Sequence, residues 1–233
     1  MIERVVVTGA SSGIGAACVE LFQTEGTEVL GVDILDSSSA DDHLQVDLAL
    51  PDCGERLLRF CGDRQVDVLV NNAGIGLDRE AVQTSVDEFD HVIGVNLRAP
   101  FLLSSALRPF LAARSGAIVN VSSVHAVATS TMVSVYAASK GGLVALTRAL
   151  ALEWAPEIRV NAVLPGAVDT VMMSDGLFRT GSSMSDLARR HPLDRVGRPK
   201  EIAEAVVFLA GSEFTTGATL TIDGGATARL STE

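Results

Sequence analysis

Thr8-Gly9-Ala10-Ser11-Ser12-Gly13-Ile14-Gly15 is the stretch whose reading decides the fold. It follows the apolar run Val5-Val6-Val7 directly and leads into a helical pattern near residues 13–25. The order is therefore strand, glycine turn, helix. Glycines admit positive φ and let a ligand come close to the backbone. The free N–H groups of the helix start, with its dipole, favour a pyrophosphate. The spacing is Gly-x3-Gly-x-Gly rather than the G-x-G-x-x-G of the common dinucleotide fingerprint. A bare strand-to-helix turn also carries glycines. The position of this one, in the first β-α turn of an alternating chain, favours phosphate binding.

Outward from that turn, short β-branched runs alternate with longer helical patterns. Val5–Val7, Glu28–Val32, Leu44–Val46, Val66–Val70, Ala117–Val121, Arg159–Leu164 and Ala218–Thr221 read as strands. Helical stretches fall near 13–25, 53–62, 86–113, 134–154 and 199–210. Several strands are almost wholly apolar, as strands covered on both faces must be. The repeated β-α-β order predicts an α/β fold, one Rossmann-like, doubly wound parallel sheet of about seven strands flanked by helices. The polar run Ser37–Asp42 leaves little room for a helix between the second and third strands. No linker or repeat divides the chain, so residues 1–233 read as one domain. Residues 167–191 lack clear periodicity and hold Met172, Met173, Leu177, Phe178 and Met184. A segment of that kind in a compact domain reads as a substrate lid.

The composition excludes several classes. Apolar residues make up 47 % and charged residues 20 %, which is a globular profile. A net charge of −11 argues against nucleic acid or an anionic membrane surface as partner. Cys18, Cys53 and Cys61 lack metal-ligand spacing and the four histidines are scattered, so no metal site is expected. An odd cysteine count, with no signal-peptide pattern and no long apolar span, predicts a reduced, cytoplasmic setting.

Asp33 ends the second strand, 18 residues after Gly15. The dinucleotide rule puts an acid there to accept the adenosine ribose hydroxyls. A loop-start Asp has the same look. A 2′-phosphate would be repelled by Asp33, and Ile34 supplies no cation, so NAD is expected rather than NADP. Tyr136 is the only tyrosine, and it stands four residues before Lys140, one of two lysines. That offset stacks both side chains on one helical face. A phenol beside a fixed ammonium suits proton exchange between an alcohol and a ketone. One cation about 4 Å away, at an effective dielectric of about 20, is worth about 4 kcal/mol. That energy would bring a phenol from about 10 to near 7.

With these residues in view, the chain resembles the short-chain dehydrogenase/reductase family in its single-domain form. Thr8–Gly15 is similar to the family's TGxxxGxG turn, Asn71-Asn72-Ala73-Gly74 to its NNAG segment, and Tyr136–Lys140 to its YxxxK motif. Val119–Ser123, Pro165-Gly166 with Thr170, Pro192–Pro199 and Asp223-Gly224-Gly225 match further signatures in order. The resemblance implies a catalytic set of Asn96, Ser123, Tyr136 and Lys140. It implies cofactor contacts from Gly9, Ser11, Ser12, Gly13, Ile14, Gly15 and Asp33. Asp47 and Leu48 would hold the adenine, Asn72, Ala73 and Gly74 the ribose side, and Pro165, Gly166, Val168 and Thr170 the nicotinamide. Asn72–Gly74 also read as a turn tying strands together, and Thr170 as a loop cap.

On this resemblance Ser123, 13 residues before Tyr136, hydrogen-bonds the substrate oxygen. Tyr136 exchanges the proton. Lys140 supplies charge and contacts the nicotinamide ribose, and Asn96 bends its helix so that water links Lys140 to solvent. Strand alternation sends Ser122 and Ser123 to opposite sides.

The expected function is NAD-dependent interconversion of a secondary alcohol and a ketone. Val124, Met132, Val133, Met172, Met173 and Phe178 suggest a fairly apolar, cyclic substrate, or else simple packing of the lid. His125 reads as a substrate contact or, more ordinarily, an exposed loop histidine. A 3-oxoacyl-thioester reductase and a non-catalytic NAD-sensing protein are the alternatives. The resemblance further implies a homotetramer or dimer through the helices carrying Asn96 and Tyr136. Ala145, Leu146, Ala149 and Leu152 offer an apolar stripe for it, or for core packing.

Overall fold

The strands are short and apolar because most are covered on both faces, and the computed structural model shows how. It describes residues 2–180 and 183–229; within the first range, the side chains of residue 175 and residues 177–180 lie outside the description, Leu177 and Phe178 among them. Strands β1 (Arg4–Thr8), β2 (Glu28–Asp33), β3 (Asp42–Gln45), β4 (Val68–Asn71), β5 (Ala117–Val121), β6 (Arg159–Pro165) and β7 (Thr219–Ile222) form one sheet. Their order is β3-β2-β1-β4-β5-β6-β7, and every pairing is parallel.

Period-two alternation sorts the strand residues between two cores. Val6, Leu30, Leu69 and Ile118 join Leu57 of α2 (Cys53–Cys61), Leu103, Leu107 and Leu111 of α4 (Ala99–Ala113), and Leu150 of α5 (Ser134–Glu153). Val5, Val7, Val29, Val70 and Val119 join Phe22 of α1 (Gly13–Thr24) and Ile202, Val206 and Leu209 of α8 (Pro199–Gly211). Fully burying one such side chain stabilises the fold by roughly 1.5–3 kcal/mol.

The long helix expected over 86–113 is interrupted. Helix α3 (Val86–Ile93) passes into a π-helical turn, Gly94–Arg98, before α4. Such turns insert one extra residue per turn and re-aim side chains, often at functional sites. The segment expected to be non-periodic also differs. Residues Val171–Thr180 form α6 and Met184–Ala188 form α7. The physical reason is capping. Thr170 Oγ1 accepts a hydrogen bond from the Met173 N–H at 3.3 Å, and Ser183 caps α7. No helix among the described residues is long and apolar enough to cross a membrane.

The strand order reverses at β1, between β2 and β4. In open parallel sheets, ligands bind beyond the carboxyl ends of the strands at such a switch point. The glycine turn, Asn71–Gly74, Ser122-Ser123 and Pro165-Gly166 all follow strand C-termini, so the sheet carries them to one edge.

Candidate active site

The glycine turn is built by contacts that leave no room for side chains. Gly9 adopts φ 66° and Gly13 φ 53°, in the left-handed region. A Cβ on Gly15 would stand 1.9 Å from the Gly9 carbonyl oxygen. Thr8 holds the turn to β4. Its Oγ1 accepts the N–H groups of Asn72 and Ala73, each at 3.0 Å. Asn72 Nδ2 donates to the Thr8 carbonyl at 2.9 Å. The strand-tying role of Asn72 and Ala73 is thus present in the fold.

The start of α1 is open. Ser12 is extended and makes no side-chain cap, and the first turn holds no acidic residue. Uncapped N–H groups and a helix dipole without a local carboxylate suit an anion. The Cβ position of Gly13 lies 3.1 Å from Thr170 Cγ2, so the turn faces the loop after β6. A cavity of about 460 Å³ there is lined by Gly13, Asp169, Thr170, Val171, Ser174 and Pro199. A shallow groove of about 370 Å³ between α3 and the start of α5, lined by Val86, Phe89 and Val135 among others, contains none of the candidate site residues.

Asp33 is half-buried beside the turn. Its Oδ2 accepts the Ser11 N–H at 3.0 Å and its Oδ1 the Leu35 N–H at 3.1 Å. The loop-start role is therefore filled, and the same carboxylate is fixed at the end of β2. Asp47 Oδ1 accepts the Ala49 N–H at 2.8 Å, and Leu48 is buried. At the end of β6, Pro165 and Val168 are buried, and the Gly166 N–H donates to the Ile222 carbonyl at 2.9 Å. Thr170 takes the cap position described above.

Ser123, Tyr136, Lys140 and Asn96 converge. Ser122 and Ser123 diverge as alternation requires. Ser122 Oγ donates to the Lys140 carbonyl at 2.9 Å, whereas Ser123 hydrogen-bonds Tyr136 and also accepts the His125 N–H at 3.2 Å. Lys140 is buried. Its Nζ donates to the Val121 carbonyl at 2.9 Å and lies 5.8 Å from the centroid of the Tyr136 ring.

The electrostatics depart from the expectation of a phenol near 7. Burial pushes the Tyr136 pKa up, and the Ser123 hydrogen bond only partly opposes it. Burial pushes Lys140 down to about 8, because a buried ammonium loses its hydration. The protein by itself keeps the phenol protonated. The expectation near 7 counted only a cation about 4 Å away and left out desolvation, which acts on both buried groups.

Asn96 sits in the π turn, fully buried. Its Oδ1 accepts the Ile75 N–H at 2.8 Å. Its Nδ2 donates to the Ile75 carbonyl at 2.9 Å and to Ser139 Oγ at 3.0 Å. Ser139 Oγ in turn donates to the Tyr136 carbonyl at 2.7 Å. Asn96 therefore couples the segment after β4 to the helix that presents Tyr136 and Lys140.

Several participants escaped the sequence reading. Thr8, Ile75 and Val121 act through hydroxyl or backbone atoms. Ser139 was inside the YxxxK stretch but had no assigned part. Gly74, expected as a cofactor contact, also leaves space for Lys140, since a Cβ there would stand 3.2 Å from its Nζ. His125 is half-buried and packs edge-on against Tyr136. It is not the exposed loop residue that its position suggested.

Comparison with known proteins agrees with this geometry. A family model described as enoyl-(acyl carrier protein) reductase matches residues 9–227. Cis-4-hydroxycyclohexanecarboxylate dehydrogenase of Sinomonas cyclohexanicum is 40 % identical over 250 residues, covering 97 % of each chain. A 3-oxoacyl-[acyl-carrier-protein] reductase of Chlamydia trachomatis is 36 % identical, covering 94 % of this chain and 95 % of the relative. An uncharacterized short-chain type dehydrogenase/reductase of Sinorhizobium fredii is 39 % identical over 95 % of this chain, which spans 43 % of that relative. The ligand-free structure of Thermoplasma acidophilum aldohexose dehydrogenase superposes with a TM-score of 0.93 at 36 % identity, covering 99 % of this chain and 96 % of the other. The chain belongs to the short-chain dehydrogenase/reductase family, whose members are NAD(P)-dependent oxidoreductases.

Proposed function

We propose that the protein interconverts a secondary alcohol and a ketone with NAD as hydride carrier. The observation that carries this reading is the meeting of Ser123, Tyr136 and Lys140 at the sheet edge that also bears the glycine turn. A bound nicotinamide would supply the hydride chemistry at the carbinol carbon, and Tyr136, as phenolate, would take the hydroxyl proton in the oxidative direction and return it in the reductive one. Ser123 donates a hydrogen bond to the substrate oxygen. Lys140 orients the nicotinamide ribose and lends its charge to the Tyr136 phenolate. Asn96 holds the π turn and the Ser139 link, which keep Lys140 in register with a water path to solvent. Burial favours the protonated form of Tyr136, so the positive ring of an oxidised nicotinamide, if bound beside it, would favour the phenolate.

NAD is preferred to NADP because a 2′-phosphate would meet the Asp33 carboxylate, and Ile34 beside it is an exposed apolar side chain. Gly9, Ser11, Ser12, Gly13, Ile14 and Gly15 hold the diphosphate. Asp47 and Leu48 flank the adenine, Asn72–Gly74 the adenosine ribose, and Pro165, Gly166, Val168 and Thr170 the nicotinamide. The described residues of the lid expected over 167–191 lie on the substrate side, with Met132, Met172 and Met173 as its apolar lining. The substrate is a fairly apolar, cyclic alcohol, in keeping with the cyclohexane-based relative. The exposed residues Ala145, Ala149 and Leu152 on α5 support assembly into a dimer or tetramer. Unpaired, buried cysteines support a reducing, cytoplasmic setting.

Steady-state absorbance of NADH with a panel of cyclic and acyclic secondary alcohols tests the reading. Turnover of apolar cyclic substrates supports it. Tight NADH binding without turnover of any alcohol or ketone would move the protein to the sensor class. Reduction of 3-oxoacyl thioesters, the activity in the name of the Chlamydia relative, is the second reading; such a reductase would be expected to use NADPH, and Asp33 weighs against that cofactor.

A further inference from the structure

His125 stands two residues beyond Ser123, in the short 3-10 turn Val124–Ala126. Its ring meets the Tyr136 ring edge-on, with centroids 5.7 Å apart and planes at 75°. Nδ1 lies 3.0 Å from Thr129 Oγ1, which fixes the ring, and Nε2 makes no hydrogen bond among the described residues. Three segments meet at Asp78 and its neighbour Arg79, and Asp78 acts on this ring. The first follows β4 and brings Asp78, whose charge acts on His125. The second follows β5 and holds Met132 at φ 69°, its carbonyl accepting the Arg79 N–H at 2.6 Å. The third is α6, where a Cβ on Gly176 would stand 3.9 Å from Asp78 Oδ2.

A half-buried imidazole with one nitrogen tethered and the other unbonded is a directional polar group beside the reacting phenol. Burial pushes its pKa below the usual 6.5, so at neutral pH it offers a hydrogen bond and not a charge. Thr129 Oγ1 also lies 3.5 Å from the Ser130 carbonyl, and the tautomer follows from which way that hydroxyl turns. A substrate hydroxyl donates and accepts, so it complements either tautomer.

We propose that His125 is a substrate-positioning residue, which through Nε2 hydrogen-bonds a second oxygen carried next to the reacting carbon. The preferred substrates are then vicinal diols and hydroxyketones on an apolar frame, rather than plain alcohols. This rests on the dehydrogenase reading above. Sites that hydrogen-bond a substrate oxygen discriminate strongly against analogues lacking it.

The test compares trans-cyclohexane-1,2-diol with cyclohexanol as substrates of the full chain with NAD. The ratio of their kcat/KM values should favour the diol by about tenfold or more. His125→Phe keeps the ring contact and removes the hydrogen bond, and should lower that ratio at least about tenfold. His125→Asn should recover part of it, and Thr129→Val, at an exposed position, should lower it several-fold through loss of the ring tether. Independently, the diol should raise the melting temperature of the NADH-bound protein more than cyclohexanol does, and this difference should vanish in His125→Phe. If His125→Phe does not fold, Thr129→Val and His125→Asn give the same reading. An unchanged ratio across the variants, or a wild-type ratio near one, overturns the proposal while leaving the dehydrogenase reading intact. No turnover of either substrate or of any alcohol in the wider panel would overturn both.

Discussion

Lys140 Nζ donates to the Val121 carbonyl at 2.9 Å while standing 5.8 Å from the Tyr136 ring centroid. The ammonium is therefore anchored to the end of β5, on the side of the Tyr136 ring. In the proposed reaction, proton transfer at Tyr136 would draw on three groups held by two elements: Ser123 after β5, and Tyr136 and Lys140 on α5. A small displacement of α5 against β5 would alter the spacing of Ser123 from the other two.

Tyr136→Phe is the most direct check on that arrangement. The substitution removes one hydroxyl and keeps the ring that packs against His125. NADH affinity, read by fluorescence titration, should stay within about twofold. A positioned acid–base group contributes roughly 10²–10⁴-fold, so kcat should fall by at least that much. Turnover at the wild-type rate would remove Tyr136 from the chemistry.

Lys140 also marks the stability profile. Its pKa in the folded chain is held down to about 8 by burial, against 10.5 for the ordinary side chain. Below about 8 both states are protonated, and the folded state bears the cost of a buried charge. Between about 8 and 10.5 the unfolded chain binds more protons, so this group makes the fold more stable as pH rises. Subtracting the urea-unfolding free energies of Lys140→Met from those of the unaltered protein isolates the effect. The difference should shift in favour of the unaltered protein across that window, by up to about 3 kcal/mol. A flat difference would show that Lys140 keeps an ordinary pKa.

The sheet was legible because its strands obey burial so strictly. Val5-Val6-Val7 and Ala117–Val121 could only be covered strands. The edge strand was placed less well: Leu44–Val46 was expected and Asp42–Gln45 is found, because an edge strand that is half exposed carries little apolar alternation. The π turn at Gly94–Arg98 was invisible, since hydrophobic periodicity runs through it almost unbroken. Helix α6 was missed because Gly176 and two adjoining methionines blur its face, though Thr170 three residues ahead of Met173 was a usable cap signal. The pairing of Tyr136 with Lys140 followed from their spacing, and the places of Ser123 and Asn96 beside them from the family resemblance. Their electrostatics did not, because desolvation depends on neighbours that spacing alone does not count.

Asp33 gives a prediction on cofactor choice. Asp33→Ser removes the carboxylate facing a 2′-phosphate but keeps a small polar side chain that can accept the Ser11 N–H. KM for NAD should rise about tenfold or more, and the ratio of kcat/KM for NADP over NAD should rise by a similar factor. Steady-state kinetics with both cofactors decides this. An unchanged ratio would mean that the acid only braces the loop.

Gly15 tests whether the turn itself is the binding element. A methyl group there would stand 1.9 Å from the Gly9 carbonyl oxygen and 2.6 Å from Asn72 Nδ2, inside any tolerable contact. Neither neighbour can withdraw cheaply. The Gly9 carbonyl belongs to the turn, and Asn72 is bonded to the Thr8 carbonyl at 2.9 Å. Gly15→Ala must therefore open the turn from β4, at a cost typical of overpacking, about 1–3 kcal/mol. Calorimetry should record a lower melting temperature, and NADH titration a loss of affinity larger than the stability change explains, because the open N–H groups of α1 lose their alignment. Gly26→Ala, in open space after α1 at φ 80°, provides the comparison. It should destabilise through backbone strain while binding NADH normally. If both variants lost affinity in proportion to stability alone, the turn would be a structural joint and the cofactor would be held elsewhere.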